Sequence, residues 1–226
     1  MKKNRALMVG VCICLAVSVL CGGCGSDKKK SRRSNVKLET GKIKENSLVI
    51  AVGNEGVRYS EVLNYGYLLK RQYEGNFTDA LWNYKLEEGK TIGEEAKQEI
   101  VNMITQLKII KAEAKTEGVS LSGDEIDEAP QKAEHVMESV TEENREAYAL
   151  SVQGLSEIYQ DNILANKMFY IATDDVETDL SDELSDEEKE ARIQEQLTER
   201  FKQKYEAWLK KCEVRISEEF WDAFQL

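Results

Sequence analysis

The chain has 226 residues, with 31 basic and 42 acidic side chains and a formal net charge of −11 at pH 7. The acidity is concentrated in residues 47–226, which hold 20 basic and 39 acidic side chains and carry a net charge of −19. Nucleic-acid binding is not expected of so acidic a body, because phosphates attract positive side chains. Its length is sufficient for one domain.

The N-terminus predicts export. Three basic side chains within the first five residues precede an uncharged, apolar run from Ala6 to Cys21. This run is shorter than the roughly 20 residues that span a bilayer and suits a secretory signal peptide. The sequence Cys-Gly-Gly-Cys that ends at Cys24 resembles a bacterial lipobox, although Cys21 stands where the pattern usually has Leu, Val or Ile. Residues 1–23 are therefore predicted to be a lipoprotein signal peptide.

On this interpretation Cys24 is lipidated and anchors the protein to the outer side of the bacterial cell membrane. The alternative is an uncleaved membrane anchor, which leaves the body extracytoplasmic as well. Residues 24–46 hold eight basic and three acidic side chains and no apolar pattern, so they predict a flexible basic tether near anionic headgroups. After processing, Cys212 is the one cysteine of the body, which excludes an internal disulfide.

The body begins with strand-like segments. A β-branched run over 47–53, a turn signal at 54–56 and a short returning segment at 57–59 predict a hairpin. Ser60 is the expected N-cap of a helix from Glu61 that ends at Gly75-Asn76. Residues 77–90 show poor periodicity, so we expect an irregular segment there.

Three capping boxes mark later helix starts: Thr91 with Glu94, Ser122 with Glu125, and Ser185 with Glu188. An apolar stripe from Ile92 to Ala114 predicts a helix of about 25 residues that stops at Gly118. Further helices are expected over 123–139, after Thr141, after Gly154 and from Ser185 to about Lys211. Alternation over 212–217 predicts a final strand, followed by a short apolar segment at 218–224.

This order predicts a mainly α fold in which long helices are combined with a small sheet, formed by the N-terminal hairpin and the C-terminal strand. One domain is expected over 47–226, with halves 47–172 and 185–226 joined by an acidic linker. The acidic run 174–190 also suits Ca²⁺, since hard cations bind several oxygens, but it lacks the EF-hand pattern. A solvated linker is the preferred interpretation.

The opening LVIAVGNEGVRYSE at Leu48–Glu61 resembles that of the SurA/PrsA extracytoplasmic foldases, which share their core fold with the trigger-factor C-terminal domain. The long helix at 92–118 and the closing segment Tyr205–Ile216 resemble the same family. Foldases of this type usually carry a parvulin prolyl-isomerase domain with paired histidines. The short interval between Ala172 and Ser185 leaves no room for that domain, so the resemblance implies a chaperone framework alone.

No set of catalytic residues stands out in the sequence. His135 is the single histidine and is interpreted as a surface residue rather than a catalytic or metal-binding one. Cys212 follows two lysines that favour a lowered thiol pKa, but an idle thiol is the preferred interpretation. No cofactor and no metal are predicted, and whether isomerase activity remains is left open.

Aromatic side chains are the best functional candidates, because chaperones hold clients through adaptable apolar surface. The client-binding candidates are Tyr73, Phe77, Trp82 and Tyr84, and segment 77–86 is expected to form an exposed arm. Ordinary core packing is the preferred interpretation for most of the wider aromatic set, which includes Tyr65 and Tyr67. The predicted function is non-catalytic binding of unfolded or newly exported polypeptides. The alternatives are a foldase with degenerate prolyl-isomerase activity and an adapter lipoprotein that docks one folded partner.

Overall fold

A three-stranded antiparallel sheet joins the two ends of the body. The structure, a computed structural model, describes residues 34–73, 79–86, 89–177 and 185–226. Strands β1 (Leu48–Val52) and β2 (Glu55–Arg58) form the predicted hairpin, and β3 (Val214–Ile216) pairs with the other edge of β1. The register places Ile50 opposite Ile216 and Val52 opposite Val214. The predicted closure of the N-terminal hairpin on the C-terminal strand is confirmed.

Seven helices make up most of the described chain, which confirms a mainly α fold with a small sheet. They are α1 (Tyr59–Tyr73), α2 (Ile92–Glu117), α3 (Gly123–Glu138), α4 (Glu142–Ala147), α5 (Val152–Ala172), α6 (Asp186–Leu209) and α7 (Glu218–Ala223). A single 3₁₀ turn covers Asp79–Leu81. All three capping boxes predicted from the sequence are present, at the starts of α2, α3 and α6.

Two helix starts differ from the prediction. Helix α1 begins at Tyr59 rather than Glu61, so Ser60 lies inside the helix. The preceding chain supplies the cap instead: the Tyr59 N–H donates to Ser47 O at 2.9 Å and the Ser60 N–H donates to Glu45 O at 2.8 Å. Helix α5 begins at Val152, two residues before Gly154, because the Ser151 hydroxyl accepts from the Gly154 N–H at 3.0 Å. The expected end of α1 at 75–76 lies outside the described residues.

One hydrophobic core lies between the sheet and the helices. Helices α1, α2, α5 and α6 all contribute to it, and α7 packs Phe220 and Phe224 edge-on against Tyr59 at the start of α1. The returning helix α6 inserts Phe201 and Trp208 beside α2 and α5. A smaller cluster beneath α3 holds Tyr67, Ala133, Leu150 and Leu155.

Residues 34–46, hereafter the strap, lie against the sheet, although the sequence places them in the flexible tether. The Ser34 N–H donates to Glu213 Oε2 at 3.0 Å, and Arg215 Nη2 donates to Val36 O at 2.6 Å. The Ser217 hydroxyl donates to Glu39 O at 3.1 Å. Three polar side chains at the C-terminal strand therefore hold the strap, which hydropathy patterning does not reveal.

A buried charged cluster connects α1, α2 and α5. The Asp161 side chain is only 4% exposed and accepts from Lys108 Nζ at 3.1 Å and Lys111 Nζ at 2.6 Å. Lys108 Nζ also lies 2.7 Å from Glu61 Oε1. Burial raises the pKa of Glu61 despite this lysine, whereas the Lys108 pKa is raised because attraction to Glu61 and Asp161 outweighs its own burial. Lys108 therefore bridges the two carboxylates, and Lys111 supplies the second positive charge of the junction.

Replacing Lys108 with alanine tests this junction. Lys108→Ala leaves Glu61 without its lysine and Asp161 with Lys111 alone, so we expect the free energy of unfolding to fall by about 3 kcal/mol. The matched control is Lys115→Ala, an exposed position on the same helix, which should change it by about 0.5 kcal/mol or less. Denaturant unfolding measures both, and equal losses in the two variants would contradict the assignment.

A second ion pair contributes to the acid dependence of stability. Glu125 Oε2 accepts from Lys167 Nζ at 2.7 Å and from the Ser122 N–H at 2.7 Å, and these bonds lower the Glu125 pKa to about 2. The unfolded chain has a glutamate pKa of about 4.3. The stabilisation from the ionised carboxylate is thus complete above that value and is lost as the pH falls towards 2.

Glu125→Gln is therefore expected to lower the melting temperature at pH 7, and the difference from the parent should shrink as the pH approaches 2. Glu134→Gln, on the exposed face of the same helix, should have little effect at either pH. Calorimetry over this pH range makes the comparison. A deficit of equal size at both ends of the range would show that the ion pair is not its source.

Candidate functional site

Segment 79–86 is fastened to the first turn of α2. The Gly93 N–H donates to Trp82 O at 2.9 Å and the Ile92 N–H donates to Tyr84 O at 3.0 Å. The Leu86 N–H donates to Lys90 O at 2.8 Å. Because the first N–H groups of a helix have no partner within the helix, the segment's carbonyls satisfy donors that are otherwise left unpaired.

Gly93 allows this close approach. A Cβ atom at this position would lie 2.9 Å from Trp82 O, a backbone atom that cannot rotate away. Gly93 is buried at the second position of α2, where a helix tolerates most residues. The glycine is therefore explained by the packing of the segment rather than by the helix.

The segment buries one aromatic side chain and exposes others. Trp82 is 7% exposed and packs edge-on against Tyr73, the last residue of α1, with ring centroids 6.0 Å apart. Tyr84 is 64% exposed, and Tyr73 and Leu86 are also exposed. We call the exposed side chains of Tyr73, Tyr84 and Leu86 the tip surface, because they lie where α1 ends and α2 begins.

Charged side chains border the tip surface. Lys90 Nζ contacts Glu95 Oε1 at 2.7 Å, and both side chains are largely exposed. Glu94 lies beside them and closes the capping box through Thr91. The tip surface therefore combines a small apolar centre with a charged rim, which is the usual layout of a contact surface.

The sequence-predicted residues fall into three groups. Tyr73 and Tyr84 are exposed at the tip surface, whereas Trp82 is buried and acts as its support. Phe77 lies outside the described residues, so only part of the expected arm can be placed. Leu86 is exposed but is not among the predicted client-binding residues, although it lies in segment 77–86, the expected exposed arm.

The wider aromatic set belongs to the core. Tyr65 and Tyr67 are both buried, and burial raises the pKa of Tyr65 far above its usual range, with smaller contributions from Glu61 and Asp161. Tyr67 packs against Tyr148 with ring centroids 5.6 Å apart. Ordinary core packing therefore accounts for both tyrosines.

The residues considered for catalysis lie apart from the tip surface and from each other. His135 is exposed on α3, with Nδ1 3.3 Å from Glu138 Oε2. The Cys212 thiol is partly buried beside the turn at Gly53, and its burial, with the Glu113 and Glu213 carboxylates, raises its pKa. A raised pKa removes the thiolate character that a reactive cysteine requires.

Metal binding and membrane insertion receive no support from the described part of the chain. No group of three or more His, Cys, Asp or Glu side chains there is arranged to hold a metal ion. Within the same ranges, no helix combines the length and the apolar character needed to cross a bilayer. The acidic run considered for Ca²⁺ is described only at 174–177 and 185–190.

A pocket of about 660 Å³ borders α6 near Val176. Polar side chains such as Gln194, Glu199 and Arg200 line it. Most of these side chains are exposed, so the pocket is an open surface depression rather than the enclosed cleft that is typical of ligand sites. The tip surface remains the better candidate for binding.

Comparisons of the chain with protein-family models, with curated proteins and with solved structures found no match. The resemblance to the SurA/PrsA foldases therefore stays a prediction from the sequence.

Gly93→Ala tests how the tip surface is held. The added methyl group forces Trp82 O to move, so segment 79–91 should detach more often and trypsin should cleave faster after Lys85 and Lys90. Gly123→Ala is the matched control, because that glycine also lies in the first turn of a helix but has no atom within 4 Å of its Cβ position. Timed digestion with mass spectrometry measures both, and equal cleavage in the two variants would contradict the proposed fastening.

Proposed function

We propose that this protein is a lipid-anchored, extracytoplasmic chaperone that binds apolar segments of unfolded or newly exported polypeptides without catalysis. The observation that carries the proposal is the tip surface, where Tyr73, Tyr84 and Leu86 are exposed around a buried Trp82. Exposed apolar side chains mark an interaction site when they are grouped in one patch. Binding of loose polypeptide suits such a patch, and the acidic body keeps the complex soluble.

Two further features support the proposal. The lipobox-like sequence ending at Cys24 indicates export and anchorage beside the membrane, where newly exported chains emerge. The pairing of β1 with β3 is the closure that a SurA/PrsA-like framework requires. Both features agree with a chaperone, and neither calls for a cofactor.

The size of the tip surface predicts weak and reversible binding. Burial of one large apolar side chain contributes about 1.5–3 kcal/mol, and association of two molecules costs about 4 kcal/mol or more. Three such side chains therefore leave a small net gain per client segment. Anchoring raises the local concentration of the chaperone near exported chains, which compensates for low affinity.

A second candidate, the adapter that docks one folded partner, is favoured by a specific observation. Exposed large apolar side chains are few in the described chain: Tyr73, Tyr84, Leu86, Ile126, Tyr170 and Ile171. A small, firmly held patch suits a defined partner as well as loose polypeptide. The two candidates differ in how many proteins they bind.

Suppression of aggregation by the full chain tests the proposal. The parent should protect several unrelated unfolded clients, and Tyr84→Ser combined with Leu86→Ser should lose most of that protection. The matched control is Tyr170→Ser. Tyr170 is 67% exposed, a fraction similar to the 64% of Tyr84, but it lies near the end of α5. This variant should retain protection.

Each rival has its own outcome. Protection of no client, with one stoichiometric partner recovered by affinity purification, would replace the chaperone with the adapter. Acceleration of prolyl isomerisation in a peptide assay would favour the degenerate foldase instead. Equal loss of protection in the Tyr170→Ser control would show that the tip surface is not the client site.

A further inference from the structure

The first part of the strap, residues 34–41, lies on the body as an extended segment, which we call the outer strap. Val36 and Leu38 are half-buried, and the residues on either side of each are exposed. This alternation is typical of extended backbone that turns one face towards a neighbour. The outer strap belongs to no strand of the sheet, so its contacts with the body are made in another way.

Four polar side chains near the C-terminus hold the outer strap by its main chain, and we call them the polar row. They stand at alternate positions of the sequence: Glu213, Arg215, Ser217 and Glu219. Their partners, in the same order, are the Ser34 N–H, Val36 O, Glu39 O and the Gly41 N–H, at hydrogen-bond distances of 3.0, 2.6, 3.1 and 3.2 Å. Every residue offers main-chain atoms of this kind apart from the N–H that proline lacks. The polar row therefore recognises an extended backbone rather than a particular sequence.

Gly56 of β2 leaves room for one side chain of the outer strap. A Cβ atom at Gly56 would lie 3.2 Å from Val36 Cγ1 and 3.0 Å from Leu48 Cδ2. A glycine inside a strand often marks the close approach of another chain segment. Main-chain hydrogen bonds combined with room for alternate side chains are the features by which proteins bind extended peptides along a sheet. We call the polar row together with Gly56 the strap site.

Two observations indicate that the outer strap is a replaceable occupant of this site. Arg215 Nε is buried without a hydrogen-bond partner in the described chain, since Glu213 Oε1 is 4.0 Å away and too distant for a hydrogen bond. Gly41 has a φ of 105° and no atom within 4 Å of its Cβ position, so the outer strap ends at a flexible joint. The conformational entropy lost by eight ordered residues opposes these partly exposed contacts, and we therefore expect the attachment to be reversible.

Resting on the proposed function, we propose that the strap site is a second client site, which binds extended polypeptide, and that the outer strap is its internal competitor. A client segment with a branched apolar residue over Gly56 repeats the main-chain hydrogen bonds of the outer strap and offers a further carbonyl to Arg215 Nε. The competitor belongs to the same molecule, so its effective concentration is high. The strap site therefore stays covered until client is abundant.

Binding of a labelled peptide with the sequence of the outer strap, SNVKLETG, tests the proposal. The full chain is purified in detergent, and fluorescence anisotropy measures the dissociation constant of the peptide. Val36→Gly weakens the internal competitor, so this variant should bind the peptide about fourfold more tightly than the parent. Lys37→Gly is the matched control, because it adds the same backbone freedom at an exposed neighbouring position. Equal affinity in the two glycine variants overturns the proposal.

Changes in the strap site itself locate the bound peptide. Gly56→Val fills the space over β2, and a branched residue suits a strand. Added to Val36→Gly, this overpacked contact should weaken peptide binding by about tenfold, while circular dichroism shows that the fold is kept. Arg215→Gln, which removes the guanidinium that donates to Val36 O, should weaken binding in the same background. Peptide binding that survives both changes shows that the peptide binds elsewhere, and the proposal then fails.

Failure of this inference is distinguishable from failure of the proposed function. If the parent protects unfolded clients from aggregation but Val36→Gly binds no more peptide than the parent, the strap site is wrong and the chaperone function stands. If no client is protected but peptide binding changes with the outer strap as expected, the chaperone function is wrong. The strap site is then supported as a site for extended peptide.

Discussion

The pairing of β1 with β3 is the interaction on which the rest of the structure depends. It joins two strands with about 160 residues between them, and closing such a loop costs roughly 4.5 kcal/mol of conformational entropy. This cost is offset by the burial of Val49 and Ile50 and by the helices that pack beneath them. The strap lies over the same sheet, and α7 follows β3 onto the start of α1. Loss of this pairing would release both ends of the molecule.

Polar groups then determine how the helices meet. Asn64 is buried in α1, and its side-chain amide donates to Tyr148 O at 2.9 Å and Ala149 O at 3.2 Å. Ala149 has a φ of 49°, a left-handed conformation that costs about 1 kcal/mol in a residue other than glycine. The bonds from Asn64 stabilise this turn, just as Asp161 and Lys108 join α5 to α2. Unpaired polar groups are costly in a dry core, so these pairs select one arrangement among several that would bury similar apolar area.

Hydrogen bonds to otherwise unpaired backbone groups also hold the tip surface in place. Its segment has little regular structure, yet it is held because the start of α2 offers unpaired N–H groups and Gly93 leaves space for Trp82. The buried tryptophan supports the exposed tyrosines. Firm support reduces the entropy that binding would otherwise cost. The tip surface is small, with three exposed apolar side chains among the described residues.

The sequence by itself determined most of the secondary structure, and strand-like segments at opposite ends of a helical chain indicated that the two ends meet. Capping boxes at Thr91, Ser122 and Ser185 act within four residues, and apolar periodicity reports the buried face of a helix locally, so both can be read from the chain. Only the tertiary structure decided that Trp82 is buried while Tyr84 is exposed, since burial depends on Tyr73 and Gly93. It also decided that the strap is fixed, because the partners of Ser34 and Val36 lie about 180 residues away in β3 and its flanks. Contacts at such distances leave no periodic signal in a single sequence.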